Sequence, residues 1–302
     1  MGRELADNYP VARRTFEEAD EALGYKLSEL CFEGPEEKLK LTEITQPAIL
    51  TASVAAWRVL KEKALQEKGL KPDFVAGHSL GEYSAHVAAG TLTFADAVRT
   101  VRNRGKYMQE AVPVGVGAMA AILGMTLDKV SEIANEAAQG EVCQAANINS
   151  PEQIVISGHA GAVNRAIQLA TERGAKKAVS LPVSAPFHCA LMQPAQDRLA
   201  QDLLALNFQN PSCPVVCNVD AVVVDSAEAS REALIRQVTS AVRWEPSVRL
   251  LINKEASLFI EVGPGKVLWG LMRQIDRSKP CATVGDEASL QKTLAQIAAV
   301  AA

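Results

Sequence analysis

A glycine-rich turn interrupts the sequence at FVAGHSLGEYS, residues 74–84. It places the pattern G-x-S-x-G between an apolar run, predicted as a buried strand, and a predicted helix, which is the context of a nucleophile elbow. Such a turn is tight, so the two residues that flank the serine, Gly77 and Gly81, are expected to be small by necessity. The alternative interpretation is a glycine-rich turn with a capping serine.

Ser79 is the predicted nucleophile of this turn. It would lie at the N-terminus of the following helix, where unpaired N–H groups and the helix dipole favour developing negative charge. The N–H of Leu80, the next residue in the chain, is the predicted oxyanion donor.

A nucleophilic serine needs a general base, and the sequence offers four histidines. His78 adjoins the serine, and neighbouring residues in an elbow point in different directions. His86 lies within the following predicted helix, and His159 follows a glycine elsewhere in the chain. His188 lies in a loop that two prolines hold non-helical. By elimination His188 is the predicted base, although a histidine in such a loop is more often a surface or hydrogen-bonding residue.

Helix-like and strand-like segments alternate along the chain, which predicts the α/β fold class. We expect a large α/β domain, residues 1–114 and 185–302, with a central, mainly parallel sheet. Residues 115–184 carry the order βαββαβ, typical of a ferredoxin-like unit, and predict a small domain inserted into the large one. The segments of that small domain are strands at Ala118–Leu123, Val142–Ile148, Ile154–Ser157 and Lys177–Leu181, and helices at Leu127–Ala138 and Ala162–Arg173.

Three other predictions concern helices of the large domain. Residues 3–21 predict one helix, and a long helix is expected to begin at Gln46-Pro47, with the proline in its first turn, and to run to about Lys68. Thr93 is the predicted N-cap of a further helix. The tail that ends at Ala298–Ala302 is expected to fray.

Composition excludes several classes of protein. The chain has 302 residues, of which 48% are hydrophobic and 22% charged, values of an ordinary globular protein rather than a disordered one. The net charge of −4 gives no global basic footprint for nucleic acid. No apolar run approaches the ~20 residues of a membrane helix, and the polar N-terminus is not a signal peptide. The expected location is the cytoplasm.

The cysteines do not suggest a metal site. Of the six, only Cys213 and Cys217 are close in sequence, and they flank an apolar, extended run. Residues four apart in a strand lie ~13 Å apart, too far to share a zinc ion. Because no HExxH or CxxC pattern occurs either, we expect structural thiols and no metal.

Further segments carry a family resemblance. GHSLGE at 77–82, RGKYMQ at 104–109 and SAPFH at 184–188 together resemble malonyl-CoA:acyl-carrier-protein transacylases of bacterial fatty-acid synthesis. TQPA at 45–48, NSP at 149–151, NVD at 218–220 and EVGPG at 261–265 look like further blocks of the family, so the resemblance spans nearly the whole chain.

Without the resemblance, Arg104 would be interpreted only as a positive charge near a helix C-terminus, where it is favourable in any protein.

The resemblance implies a fold, a reaction and a set of roles. The fold would be a large hydrolase-like α/β domain with a ferredoxin-like insertion. Ser79 would attack malonyl-CoA with His188 as base, and the malonyl ester would pass to the phosphopantetheine thiol of acyl carrier protein. Arg104 would bind the malonyl carboxylate, and the Gln237 backbone carbonyl would orient the histidine. The implied chemistry needs no metal or other cofactor, and we expect a monomer.

The same resemblance implies minor roles and a docking surface. Gln46 and Asn149 would line the acyl cavity, and Phe187 resembles the pocket of malonyl-type enzymes. Acyl carrier proteins are acidic, so docking is expected to use a local basic patch. The candidates are Lys176-Lys177, Lys106 and Arg104; the alternative is a solvated face.

One family segment has no counterpart in the sequence. Family members begin with a strand and a GQGSQ loop that gives a second oxyanion N–H, and GQGSQ does not occur in this chain. A mis-assigned start and a genuine truncation would both explain this. We expect lower activity and stability than in a chain restored upstream, because one oxyanion donor contributes roughly 2.7–4 kcal/mol.

Three other functions share parts of the pattern. A serine esterase or thioesterase would use the same elbow but release the acyl group to water. A polyketide-type acyltransferase is a near variant of the same chemistry. A catalytically weakened relic would bind carrier protein and never acylate Ser79.

Overall fold

A computed structural model describes residues 1–66, 71–183 and 185–300. In these residues the helices are α1 (Arg3–Asn8), α2 (Pro10–Leu23), α3 (Leu27–Glu33), α4 (Glu36–Leu39), α5 (Thr42–Leu60), α6 (Leu80–Ala88), α7 (Phe94–Glu110), α8 (Leu127–Ala138), α9 (Ala160–Glu172), α10 (Gln193–Leu204), α11 (Ala227–Gln237), α12 (Trp244–Asn253), α13 (Val267–Ile275) and α14 (Glu287–Val300). The strands are β1 (Val75–Ala76), β2 (Gly117–Leu123), β3 (Cys143–Ser150), β4 (Gln153–His159), β5 (Lys177–Ser180), β6 (Val215–Val216), β7 (Val223–Val224), β8 (Phe259–Val262) and β9 (Cys281–Val284).

The fold class is α/β, as predicted, and the parallel strand pairs are short. β1 pairs in parallel with β6, which pairs antiparallel with β7, and β8 pairs in parallel with β9. Within the described ranges these strands form two separate sheets rather than one central sheet. The sequence predicted β1 from its place before the glycine-rich turn, but it did not predict β7 or β9, whose two to four residues carry too little periodicity by themselves.

The elements between β2 and β5 follow the predicted βαββαβ order. Their strands form an antiparallel sheet in the order β3-β4-β2-β5. Buried side chains of α8 and α9 pack on it as a separate apolar cluster, which includes Ile133, Val163 and Ile156. The observed strands extend the predicted ones by one or two residues at several ends, whereas β3 begins one residue later, at Cys143, and β5 ends one residue earlier, at Ser180.

The largest core forms around α5, α7 and α2. Leu50, Val54 and Val59 of α5 are fully buried there, because this helix is apolar on nearly all sides and neighbours cover it. Thr93 caps α7 as predicted, and its Oγ1 accepts a hydrogen bond from the Asp96 N–H at 3.1 Å. This packing fixes the buried face of α7 against the site described below.

Several helix predictions need correction. Residues 3–21 form two helices, because Pro10 forces the preceding Tyr9 into an extended conformation. The long helix begins at Thr42 instead of Gln46, so Pro47 lies inside it and one backbone hydrogen bond is lost. A π-helical turn continues it over Lys61–Gln66, and residues 67–70 lie outside the described ranges.

The C-terminal segment is also more regular than predicted. Residues 298–300 belong to α14, whose Leu290 and Ile297 are buried in the large core; residues 301–302 lie outside the described ranges. Thr293 anchors this helix by donating to the Thr283 carbonyl at 2.9 Å. Among the described residues, the helices are too short or too polar to cross a membrane.

Candidate active site

The turn between β1 and α6 is strained at the predicted nucleophile. Ser79 has φ 51° and ψ −109°, a conformation that non-glycine residues rarely adopt and that clusters at functional sites. A Cβ on Gly77 would lie 1.9 Å from the Gly81 carbonyl oxygen, so this position must be glycine. A Cβ on Gly81 would meet no atom within 4 Å. The predicted size restriction is therefore confirmed at Gly77 and wrong at Gly81.

Asn218, just after β6, clamps the turn from outside. Its Oδ1 accepts a hydrogen bond from the Ser79 N–H at 2.6 Å, and its Nδ2 donates to the Gly77 carbonyl at 2.7 Å. Because a backbone N–H only donates and a carbonyl only accepts, the orientation of this amide is unambiguous. Asn218 thus stabilises the turn on both sides of His78.

Ser79 and His188 have the geometry expected of a nucleophile and its base. The Ser79 Oγ lies 2.7 Å from His188 Nε2, and His188 Nδ1 lies 3.0 Å from the backbone carbonyl of Gln237. Since a carbonyl accepts only, Nδ1 carries the proton and Nε2 is free to accept the serine proton. Burial and the charge of Arg104 lower the pKa of His188 to about 3, which keeps the imidazole neutral at pH 7.

Arg104 of α7 brings a buried positive charge to the same point. It is 2% exposed. Nη1 donates to Gln46 Oε1 at 2.8 Å, and Nη2 donates to Gln237 Oε1 at 3.0 Å and to Ser79 Oγ at 3.1 Å. Burial lowers the pKa of this guanidinium. These three acceptors are all uncharged, so the arrangement favours an incoming carboxylate.

The reactive side chains face a cavity of about 380 Å³. Its lining residues are Lys40, Thr42, Thr45, Gln46, Ile49, His78, Ser79, Leu80, Arg104, Met108, Pro182, Val183, Phe187 and His188. The structure therefore places six sequence-predicted residues on its wall, Gln46, Ser79, Leu80, Arg104, Phe187 and His188. The lining combines apolar side chains such as Ile49 and Met108 with the charged Arg104, which suits a small acyl group with a polar end.

Two predicted site residues, Asn149 and Gln237, lie behind the wall rather than on it. Asn149 of β3 accepts a hydrogen bond from His78 Nε2 at 2.8 Å, and His78 stands between it and the cavity space. Gln237 is fully buried and contacts three residues of the cavity wall, Arg104, His188 and Ser79, without lining the cavity itself. Sequence reasoning set His78 aside, although its ring forms part of the wall.

Leu80 is the first residue of α6, so its N–H has no acceptor within the helix. This N–H adjoins the Ser79 side chain at the positive end of the helix dipole, where an oxyanion would be stabilised. The local geometry suits the predicted role of Leu80 as an oxyanion donor.

Glu82 and Asn218 are the main residues that the sequence analysis missed. Glu82 is fully buried on α6, where its Oε2 accepts from Gln237 Nε2 at 2.6 Å and from the Asn218 N–H at 3.1 Å. Burial raises the pKa of this carboxyl to about 7. Both residues lie in segments that carry the family resemblance, and that was the only available signal.

Only some residues of the predicted basic patch are exposed and unpaired enough to contribute to it. Arg104 is buried and cannot belong to a surface patch. Lys176 pairs with Glu152 at 2.8 Å, and Lys106 lies 3.9 Å from a carboxylate oxygen of Glu110. Lys177 is exposed at the start of β5.

Comparisons with known proteins agree with this geometry. A family model described as the acyl transferase domain matches residues 1–299. The malonyl CoA-acyl carrier protein transacylase of Salmonella typhimurium is 48% identical, over 98% of this chain and 94% of its own length. The enzyme of the same name from Bacillus subtilis is 49% identical, over 96% and 90%.

Solved structures show the same similarity. The malonyl CoA-acyl carrier protein transacylase of Coxiella burnetii aligns with a TM-score of 0.95 and 44% identity, over 98% of this chain and 93% of that one. A malonyl-transacylase solved in complex with a type II polyketide acyl-carrier protein aligns with a TM-score of 0.94 and 47% identity, over 98% and 94%. This chain therefore belongs to the malonyl CoA-acyl carrier protein transacylase family of acyl transferases.

Proposed function

We propose that this chain transfers a malonyl group from malonyl-CoA to the phosphopantetheine thiol of an acyl carrier protein, by way of an ester on Ser79. The observation that carries the proposal is one cavity in which the Ser79–His188 pair meets the buried guanidinium of Arg104. The pair activates a nucleophile, and the arginine offers a place for a free carboxylate. The names of the relatives reported above likewise describe malonyl transacylases, and one of them was solved with an acyl-carrier protein.

In the first half-reaction, Ser79 Oγ attacks the thioester carbonyl carbon while its proton moves to His188 Nε2. The Leu80 N–H donates to the oxyanion that develops on the carbonyl oxygen. When this tetrahedral intermediate collapses, the C–S bond breaks, and the coenzyme A sulfur leaves with the proton that His188 holds. The Gln237 carbonyl keeps the imidazole ring oriented through both proton transfers.

The second half-reaction repeats these steps in reverse with a different thiol. The phosphopantetheine thiol gives its proton to His188, and its sulfur attacks the ester carbonyl of malonyl-Ser79. The C–O bond breaks and Ser79 Oγ recovers its proton from the histidine. The same pair thus serves both substrates in turn, which predicts ping-pong kinetics.

Arg104 selects the acyl group. Its planar guanidinium suits bidentate pairing with a carboxylate, which an acetyl group lacks. Gln46 holds the guanidinium at 2.8 Å and lines the cavity beside it. One hydrogen bond to a charged group contributes roughly 1.5–3 kcal/mol, or about 10–150-fold, and this is enough to favour malonyl over acetyl.

We propose that the acidic carrier protein docks with help from Lys177, the exposed lysine of the predicted patch. Lys177→Glu is expected to slow transfer to the carrier and to weaken its dependence on salt. Lys254→Glu, which changes an exposed lysine after α12, is the matched control. Kinetics of Lys177→Glu that equal those of the control at low and high salt would contradict docking at this position.

We also propose a domain division, an oligomeric state and a location for this chain. Residues 1–114 and 185–302 would form the acyltransferase domain and residues 115–184 the inserted small domain, a division that the separate apolar cluster of the small domain supports. The chain would act as a cytoplasmic monomer. The mechanism uses only the protein's own serine, histidine and arginine, so it requires no cofactor besides the two substrates.

A serine hydrolase would share the acylation step, so the test measures the fate of the acyl group. The protein is mixed with malonyl-CoA, with and without phosphopantetheinylated carrier protein, and malonyl-carrier and free malonate are measured. Transfer predicts fast formation of malonyl-carrier and slow release of malonate. Release of malonate at one rate, whether or not carrier is present, would instead establish a hydrolase.

A further inference from the structure

We propose that Glu82 is a positioning residue whose buried carboxylate sets the orientation of the Gln237 side-chain amide and, through it, the aim of Arg104 into the acyl cavity. The inference rests on the proposed function, because it concerns how that site recognises a malonyl carboxylate. Glu82 itself does not line the cavity and touches no reacting atom.

The Gln237 amide lies between the Glu82 Oε2 atom, which accepts hydrogen bonds, and the Arg104 guanidinium, which only donates them. On one side, Gln237 Nε2 donates to Glu82 Oε2 at 2.6 Å. On the other side, Gln237 Oε1 accepts from Arg104 Nη2 at 3.0 Å. An amide rotated by 180° would turn its NH2 toward a guanidinium and its oxygen toward an acceptor oxygen, losing both bonds. The carboxylate therefore determines that Arg104 meets an oxygen.

The Glu82 contact is the shortest that this amide makes. Gln237 Nε2 also donates to the Ser79 carbonyl at 3.0 Å and lies 3.5 Å from Asn218 Oδ1. Hydrogen bonds to a carboxylate are about twice as strong as neutral ones. Removing Glu82 would leave the amide with its weaker restraints, and Arg104 would lose a fixed acceptor.

A second arm links the same carboxylate to the nucleophile. Glu82 Oε2 accepts from the Asn218 N–H at 3.1 Å, and the Asn218 side chain clamps the turn at Ser79 and Gly77. One buried oxygen thus connects the segment after β6, the end of α11 and the helix that follows the serine. Through these hydrogen bonds, Glu82 fixes the positions of both Arg104 and Ser79.

Two substitutions of Glu82 distinguish a positioning role from a role in packing alone. Glu82 Oε1 is buried and accepts no hydrogen bond from the described residues. A carboxylate that served packing alone would be replaced by an apolar side chain at little cost. In Glu82→Gln the amide oxygen can stand at the Oε2 position and keep both hydrogen bonds, whereas Glu82→Met keeps the approximate volume and keeps neither.

The experiment measures kcat and KM for malonyl-CoA and acetyl-CoA in both variants. Glu82→Met is expected to lower the malonyl-over-acetyl ratio of kcat/KM by about 10-fold or more, the size expected for one weakened hydrogen bond to a charged group. Most of that loss should appear as a higher KM for malonyl-CoA. Glu82→Gln should keep the ratio within about 3-fold of the unchanged chain, since it keeps the acceptor.

Glu261→Met is the matched control, because Glu261 is a half-buried carboxylate that accepts two backbone N–H groups at α13 and lies away from the cavity lining. It is expected to lower the melting temperature and leave the ratio unchanged. Should Glu82→Met not fold, Glu82→Asp retains the charge and withdraws the oxygen from Gln237, and the ratio should again fall.

A folded Glu82→Met, or Glu82→Asp in its place, with an unchanged ratio would overturn the inference. The unchanged chain separates this result from failure of the proposed function. If it forms no malonyl ester or shows no preference for malonyl-CoA, the proposed function itself is wrong. If it shows both and the variants retain the preference, only the role of Glu82 is wrong.

Discussion

Two strand–turn–helix units, which begin at strands of the two smaller sheets, share one local design and use it differently. The first runs from β1 through the turn at Ser79 into α6, and the second runs from β8 through Gly263-Pro264-Gly265 into α13. Each passes from a parallel strand through a glycine-containing turn into a nine-residue helix. Each carries a glutamate near the turn.

The two glutamates accept hydrogen bonds from different parts of the chain. In the second unit, Glu261 accepts from the Leu268 and Trp269 N–H groups at 3.0 and 2.7 Å, so the chain's own carboxylate occupies the helix N-terminus. In the first unit, Glu82 lies in the first turn of α6 but accepts its hydrogen bonds from Asn218 and Gln237 instead of from the N–H groups of that helix. The positive end of α6 therefore faces the cavity, where an oxyanion can use it.

Backbone strain differs between the units as well. The second unit takes its positive φ angles at glycines, Gly263 and Gly265, which adopt them without steric cost. The first takes a positive φ at Ser79, where a side chain makes it unfavourable. The contrast teaches that the same fold element suits the proposed chemistry only where its helix N-terminus stays open and its neighbours hold a strained serine.

Gly77→Ala should have the largest effect on the first unit. Its Cβ would lie 1.9 Å from a backbone oxygen, so the turn cannot form unchanged, and we expect about 3 kcal/mol of lost stability together with loss of Ser79 acylation. Thermal unfolding and the rate of acylation measure both. Gly81→Ala, where the Cβ meets open space, is the control and should fold normally. Equal behaviour of the two variants would contradict the tight turn.

Glu82→Gln should change how stability depends on pH. Burial raises the Glu82 pKa from 4.5 to about 7, so its contribution to stability is complete below pH 4.5 and is lost as the pH rises through 7. The charged or titratable groups that interact with it, Arg104, Asp220 and Tyr83, are retained in the variant. Relative to the unchanged chain, Glu82→Gln should therefore gain stability between pH 5 and pH 8, by up to roughly 3 kcal/mol.

Urea unfolding at pH 5, 6, 7 and 8 measures this difference. Glu261→Gln is the comparison: burial raises the pKa of Glu261 as well, but hydrogen bonds from backbone N–H groups of α13 oppose that rise, so its stability difference should vary less with pH. A stability difference between Glu82→Gln and the unchanged chain that stays constant with pH would contradict a raised pKa at Glu82.

Arg104→Leu should remove selection of the acyl group. Without the guanidinium, kcat/KM for malonyl-CoA is expected to fall about 10–150-fold, and the rate with acetyl-CoA should change less. Competition between the two thioesters measures this ratio. Arg102→Leu, two residues earlier on α7 and exposed, is the control and should behave as the unchanged chain. A retained preference in Arg104→Leu would place the carboxylate elsewhere.

Glu261→Gln should have the smallest effect. It weakens the cap of α13 while leaving the cavity untouched, so a loss of about 1 kcal/mol in unfolding free energy is expected with unchanged acylation. Chemical denaturation and the acylation rate check the two parts. Reduced acylation in this variant would break the distinction between the two units.

The sequence was most informative where structure depends on local spacing. The elbow follows from glycines two residues either side of Ser79, and the cap of α7 follows from Thr93 alone. The alternation of strand and helix patterns likewise gave the α/β class and the βαββαβ order. Each of these features is determined by a few neighbouring residues.

The remaining features depend on contacts between distant segments. Glu82 and Gln237 are 155 residues apart, and His78 and Asn149 are 71 apart, so no local pattern shows that each pair is bonded. The side of the cavity wall on which Asn149 and Gln237 lie depends on how their elements pack. The same holds for α14, whose packing on the core decides that residues 298–300 remain helical.

The most direct measurement is the mass of the intact protein after mixing with malonyl-CoA, with Ser79→Ala alongside. We predict an added mass of about 86 Da (malonic acid minus water), the ester expected for serine acylation, in the unchanged chain and none in the variant. Addition of carrier protein should then remove it. A folded protein that gains no such mass, or a Ser79→Ala variant that gains it, would contradict Ser79 as the nucleophile of a malonyl transferase.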